Sequence, residues 1–175
     1  ALAIEPTDAA SHARRLEGLI NDAEHTAANL EALSGYLGGR DWRERMEEFG
    51  AVEQGIALVV RAGAAHASGA GVQRWVCKVL GALVVAKAIR KRVADAGGIQ
   101  QVMAAMRTHS ASGEVQRKGC DALRQIAIGN AANKERIKSA GGVALLRTAK
   151  EKHGSNMWVV SLADQALRQL GQSTR

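Results

Sequence analysis

An all-α chain of stacked helical repeats is predicted by three observations: a near-absence of proline, apolar residues at helical spacing, and an internal repetition of 44 residues. Pro6 is the only proline in 175 residues. Alanine, leucine and glutamine are abundant, while the turn-rich short segments of a β fold are scarce. In the segment VQRKGCDALRQIA, Val115, Gly119, Ala122, Leu123 and Ile126 recur at spacings of three and four, which places them on one face of a helix.

The repetition sets the order of the elements. Gly97-Gly98-Ile99 aligns with Gly141-Gly142-Val143, and the same shift carries ALRQI (122–126) onto ALRQL (166–170) and His109 onto His153. A third copy lies upstream. VQRWVCKVL (72–80) matches VQRKGCDAL (115–123) with an offset of 43, and GAV (50–52) matches GGI with an offset of 47. The four-residue difference is assigned to the small-residue stretch AGAAHASGAG (62–71), read as a lengthened loop. Each unit then reads as a short helix, a sharp glycine turn, a second helix, a loop and a longer third helix. Gly50, Gly97, Gly98, Gly141 and Gly142 are the expected turn residues, since a Cβ is disfavoured where the chain reverses in a left-handed conformation. A unit of this kind cannot cover its own apolar face, so neighbouring units must stack.

The segments NKERIKSAGGVALL and VQRKGCDALRQIA resemble, respectively, the first-to-second-helix junction and the third helix of the armadillo repeat family. The resemblance implies a right-handed α-solenoid of about three to three and a half repeats. Its units lie near 41–88, 89–130 and 131–170 within a repeat domain of residues 41–175. Residues 1–40 are expected to be an acidic helical cap or a partial repeat; NLEALSGYL (29–37) is similar to a further third helix. HEAT-like helix pairs are the competing fold, but they do not require the Gly-Gly junction.

Armadillo proteins that bind extended peptides carry a tryptophan, and an asparagine four residues later, along successive third helices. Here the tryptophan-like positions are Lys78, Asp121 and Gln165, and the asparagine-like ones are Ala82, Gln125 and Gln169. Recognition of nuclear-localisation signals is therefore not expected. A basic set stands in their place: Arg74, Lys78, Arg117, Arg124 and Arg168. Such a face grips acidic side chains through charge-assisted hydrogen bonds.

Charge is unevenly laid out. Residues 1–53 hold five basic and eleven acidic side chains, whereas 54–175 hold nineteen basic and six acidic. That asymmetry points to an acidic partner for the later part. The expected function is a non-catalytic protein–protein interaction scaffold, or an accessory subunit of a multi-subunit complex, docking through the basic face and the open ends. Trp158, in the last helix, is the expected end contact, and burial is expected for Trp42 and Trp75. The alternative is a nucleic-acid-binding solenoid. Against it, Trp75 is the sole aromatic residue between Gln54 and Met157, so stacking platforms are missing.

No phosphate loop, nucleophile–base arrangement or carboxylate pair supports catalysis, and no cofactor is expected. His66, His109 and His153 fall near the ends of second helices, where the helix dipole accounts for them. Copies on stacked units lie roughly 10 Å apart, too far to share a metal. The longest uncharged apolar run, VLGALVVA (79–86), is far short of the ~20 residues of a membrane span. Cys77 and Cys120 are too few for a disulfide framework and predict a reducing, intracellular compartment. Ala1 follows no methionine or apolar signal; it reads as a fragment boundary or as a processed end, the latter pointing to a mitochondrion or plastid.

Overall fold

The computed structural model describes residues 26–28, 30, 31, 51–84 and 87–174, with only the backbone at 51–54 and 87. Gly50, Trp42 and most of the 1–40 segment lie outside these residues. The described chain is helix and turn, with no strand. Residues 26–28, 30 and 31 are helical, and after them come α1 (Ala51–Ala65), α2 (Ala70–Leu83), α3 (Lys87–Asp95), α4 (Gly98–Thr108), α5 (Gly113–Ala127), α6 (Ala131–Ser139), α7 (Gly142–Lys152) and α8 (Met157–Gln169).

Local chemistry fixes the starts of these helices. Ser112, Asn130 and Asn156 cap α5, α6 and α8 by accepting hydrogen bonds from the backbone N–H groups of Val115, Asn133, and Trp158 with Val159. The two Gly-Gly junctions divide their labour. Gly97 and Gly141 take left-handed backbone, with φ of 86° and 84°. Gly98 and Gly142 are needed for space: a Cβ at Gly98 would lie 2.8 Å from the Val93 carbonyl oxygen, and one at Gly142 would lie 2.8 Å from that of Ile137.

Helices at equivalent positions pack on one another. The most extensive contacts run from α2 to α5 and from α5 to α8, and α1 meets α4, α4 meets α7, and α3 meets α6. The buried positions repeat with them. Val72, Val115 and Val159 are equivalent, as are Leu80, Leu123 and Leu167, and Leu83, Ile126 and Leu170; all are 2% exposed or less. Burying one such leucine contributes about 1.5–3 kcal/mol. Close approach of α2 and α5 depends on small side chains, since a Cβ at Gly81 would lie 3.2 Å from the Ala122 Cα. Leu30 also belongs to this core.

The lengthened loop expected at 62–71 is not there. The turns joining α1 to α2, α4 to α5, and α7 to α8 are alike: Gly69, Ser112 and Asn156 donate backbone hydrogen bonds to the carbonyls of His66, His109 and His153. The four additional residues lie in α1, which has 15 residues against 11 in α4 and in α7. Alanine favours helix over loop, so AGAA continues α1. The register is fixed by Gln73, whose Nε2 donates to the Gly63 and His66 carbonyls as that of Gln116 donates to those of Met106 and His109. By that register Gly55, one turn inside α1, stands at the position of Gly98.

Candidate interaction face on the third helices

Helices α2, α5 and α8 present one outward surface. Their buried residues fall at spacings of three and four, so residues between them reach solvent. In α2 these are Arg74, Trp75 and Lys78, all half-buried. In α5 they include Glu114, Arg117, Lys118, Asp121 and Arg124, and in α8 Trp158, Ser161, Gln165 and Arg168. The register sets Arg74 beside Arg117, Trp75 beside Lys118, Lys78 beside Asp121, and Arg124 beside Arg168.

The cations of this face are not equivalent. Arg117 donates from Nε and Nη2 to the two oxygens of Glu114, at 3.1 and 2.9 Å. This fork holds the Glu114 carboxyl below its usual range and raises Arg117. Arg124 donates from Nε and Nη2 to Asp121 Oδ1, at 3.1 and 2.7 Å. Both arginines thus spend much of their charge within their own helix. Arg74 and Lys78 behave differently: the Arg74 guanidinium carbon lies 4.7 Å, and Lys78 Nζ 4.5 Å, from the centroid of the Trp75 ring. Among the described residues neither makes an ion pair, and Arg74 Nε is buried without a hydrogen-bond partner. Lys118 completes the group. Partial burial, and then the charges of Arg117 and Lys78, hold its amine below the usual lysine range.

Arg74, Trp75, Lys78 and Lys118 therefore form a cationic cluster between α2 and α5 that closes no ion pair among the described residues, with Glu114 and Asp121 near enough to offset part of its charge. Trp75 holds two of the cations over its ring and so limits their freedom. Lys118 is absent from the basic set that sequence reasoning singles out. The register that pairs it with Trp75 was the signal that could have found it.

The other singled-out residues are placed as follows. Arg168 is exposed in the last turn of α8, away from the cluster. Trp158 is 62% exposed and neighbours Met157, at 71%; they are the exposed large apolar side chains of the described residues. Trp158 occupies on α8 the position that Glu114 occupies on α5, so it faces the same surface.

The histidines do more than meet a helix dipole. His109 Nε2 lies 2.8 Å from the Ala67 carbonyl oxygen and His153 Nε2 lies 2.9 Å from that of Ser110. Each ring thereby ties its unit to the turn of the preceding one. No group of three or more metal-ligating side chains occurs among the described residues, and no described helix is long and apolar enough to cross a membrane.

Comparison of the chain with family models, curated proteins and solved structures returns no match. The face must be read from its own chemistry.

Cys77 and Cys120 occupy equivalent positions on α2 and α5, and both are buried and unbridged. Burial pushes each thiol up to about 12, with the neighbouring Cys77 adding to the effect at Cys120. At neutral pH the reactive thiolate is therefore scarce, and a reagent has no path to it. Native protein should react with a disulfide reagent at the rate of structural opening, far slower than in denaturant. Rapid labelling of either thiol would show that α2 and α5 do not pack as described.

Proposed function

We propose that this chain is a short armadillo-type α-solenoid that works by binding a protein partner without catalysis, as a scaffold or accessory subunit of a larger assembly. The stacking of equivalent helices in a repeating register supports the solenoid reading. The cluster of Arg74, Lys78 and Lys118 around Trp75, which closes no ion pair among the described residues, carries the functional one. Repulsion of Lys118 by Arg117 and Lys78 is only partly offset by Glu114 and Asp121, and an acidic partner relieves the remainder. Lost mobility is small for side chains already resting on a tryptophan, so less entropy opposes binding. The buried, unbridged thiols fit a reducing, intracellular compartment.

Reversing Arg74, Lys78 and Lys118 to glutamate together tests the reading. We expect the folded protein to persist and its association with the native acidic partner to slow at least tenfold, most visibly at low salt. Undiminished capture of every partner by the reversed protein would show the face to be merely solvated. Nucleic-acid binding, the second reading, rests on the excess of basic residues in 54–175. It predicts a steep fall of affinity with salt for RNA or DNA.

Lys118→Met separates binding from folding. Since Lys118 is charged at some cost in the free protein, removing the charge should leave the thermal midpoint unchanged or raised while weakening the acidic partner. A fall in both quantities would mark Lys118 as structural.

A further inference from the structure

The end of the stack at α7 and α8 differs from the interior at the positions where a following unit would sit. Two glycines mark those positions inside the stack. A Cβ at Gly63, in α1, would lie 2.6 Å from Cδ of Gln101, and one at Gly113, in α5, would lie 3.2 Å from Nδ2 of Asn156. Gln101 and Asn156 each belong to the following unit, so that unit takes up the room a side chain would need. By the register, the counterparts of these glycines in the last unit are Lys150 and Met157. Both are long side chains, and Met157 stands 71% exposed.

The chemistry changes along with the shape. Met103 and Met106 of α4 and Cys120 of α5 are 1% exposed or less. Their counterparts on α7 and α8 are Arg147, Lys150 and Asp164. Arg147 is exposed. Lys150 Nζ faces Asp164 Oδ1 at 2.8 Å, a charge contact without hydrogen-bond alignment, and donates to the Thr174 carbonyl oxygen at 2.7 Å. Laying a further unit here would strip water from an ion pair and a guanidinium, where the interior buries methionine and cysteine.

We infer that α7 and α8 form a closing cap: no unit of this kind, and no second copy of this chain, continues the stack from this end. The inference rests on the solenoid reading above and adds a limit to it. A head-to-tail contact between copies needs both ends, so a chain capped at one end does not grow into a filament. An assembly therefore takes up this chain without lengthening its stack.

Duplicating residues 131–174 directly after Thr174 tests the cap, because Thr174 stands where Asn130 precedes α6. On the unaltered chain we expect the added unit to stay unfolded, with unprotected amides and the parent's urea m-value. Arg147→Met, Lys150→Met, Met157→Gly and Asp164→Cys, made in the first of the two copies, give that unit the residues of the one before it. On this altered end the added unit should fold, with protected amides and an m-value higher by roughly a quarter. Protection of the added unit on the unaltered chain would overturn the cap and leave the stacked repeats standing. That arm carries no substitution, so a poorly folding variant does not hide it. Failure of the added unit on both ends would remove the cap and the repeat stacking together.

Discussion

Gly142→Val should destabilise the protein by about 3 kcal/mol, read as a fall in thermal midpoint of roughly 6–12 °C. Gly142 begins α7, and its missing side chain is the space in which the end of α6 turns. A Cβ there would meet the Ile137 carbonyl oxygen at 2.8 Å and the same residue's Cγ2 still closer. The carbonyl belongs to a helix and cannot yield without shifting α6, and Ile137 is fully buried. Gly98→Val should behave alike, because Val93 presents the same two atoms. Alanine at Gly141 tests the other half of the junction. Its φ of 84° costs a side-chain-bearing residue roughly 1–2 kcal/mol, with no clash involved. If valine at Gly98 and at Gly142 left melting unchanged, the junction geometry would be wrong.

Gln116→Ala should cost about 2–3 kcal/mol, an effect large for a polar residue. Gln116 is 2% exposed, and its amide donates to the Met106 and His109 carbonyls, at 2.8 and 3.1 Å. It thereby clamps the last turn of α4 to the first turn of α5. Alanine leaves those carbonyl lone pairs buried without the amide and opens a cavity besides. Gln73→Ala should cost a similar amount, and its amide oxygen also accepts from Gln101, which joins two units. Equilibrium unfolding in urea would measure each change; a shift below about 0.5 kcal/mol for both variants would count against the clamp.

Much of this arrangement was legible in the sequence because stacking imposes a period. Leu80, Leu123 and Leu167 could be matched from the sequence alone, and each is fully packed. The Gly-Gly junctions were equally visible, although which glycine supplies conformation and which supplies space was not. The four additional residues were misplaced for a physical reason. Alanine and glycine in AGAAHASGAG mark no face, so only the Gln73 hydrogen bonds fix where α1 ends. At the candidate site the positive residues were plain, but their pairing was not. Glu114 and Asp121 each lie three residues before an arginine, and rotamers decide that both pairs close. The cluster left without a closed ion pair could be found only by subtracting those pairs. The histidine ties across units were missed altogether, since backbone carbonyls carry no sequence signature.

Those ties bear on how the protein comes apart. Each boundary between units is crossed by apolar packing and also by directional bonds: His109 to Ala67, His153 to Ser110, Asn133 to Arg90, and Arg136 to Asp95. In a one-dimensional array, cooperativity grows with the strength of the links relative to the stability of each piece. Opening one unit here strands polar groups in the next, so a partly unzipped chain gains little. Amide hydrogens in the middle turns of α2, α5 and α8 should accordingly exchange with one common free energy, not in a graded series along the chain.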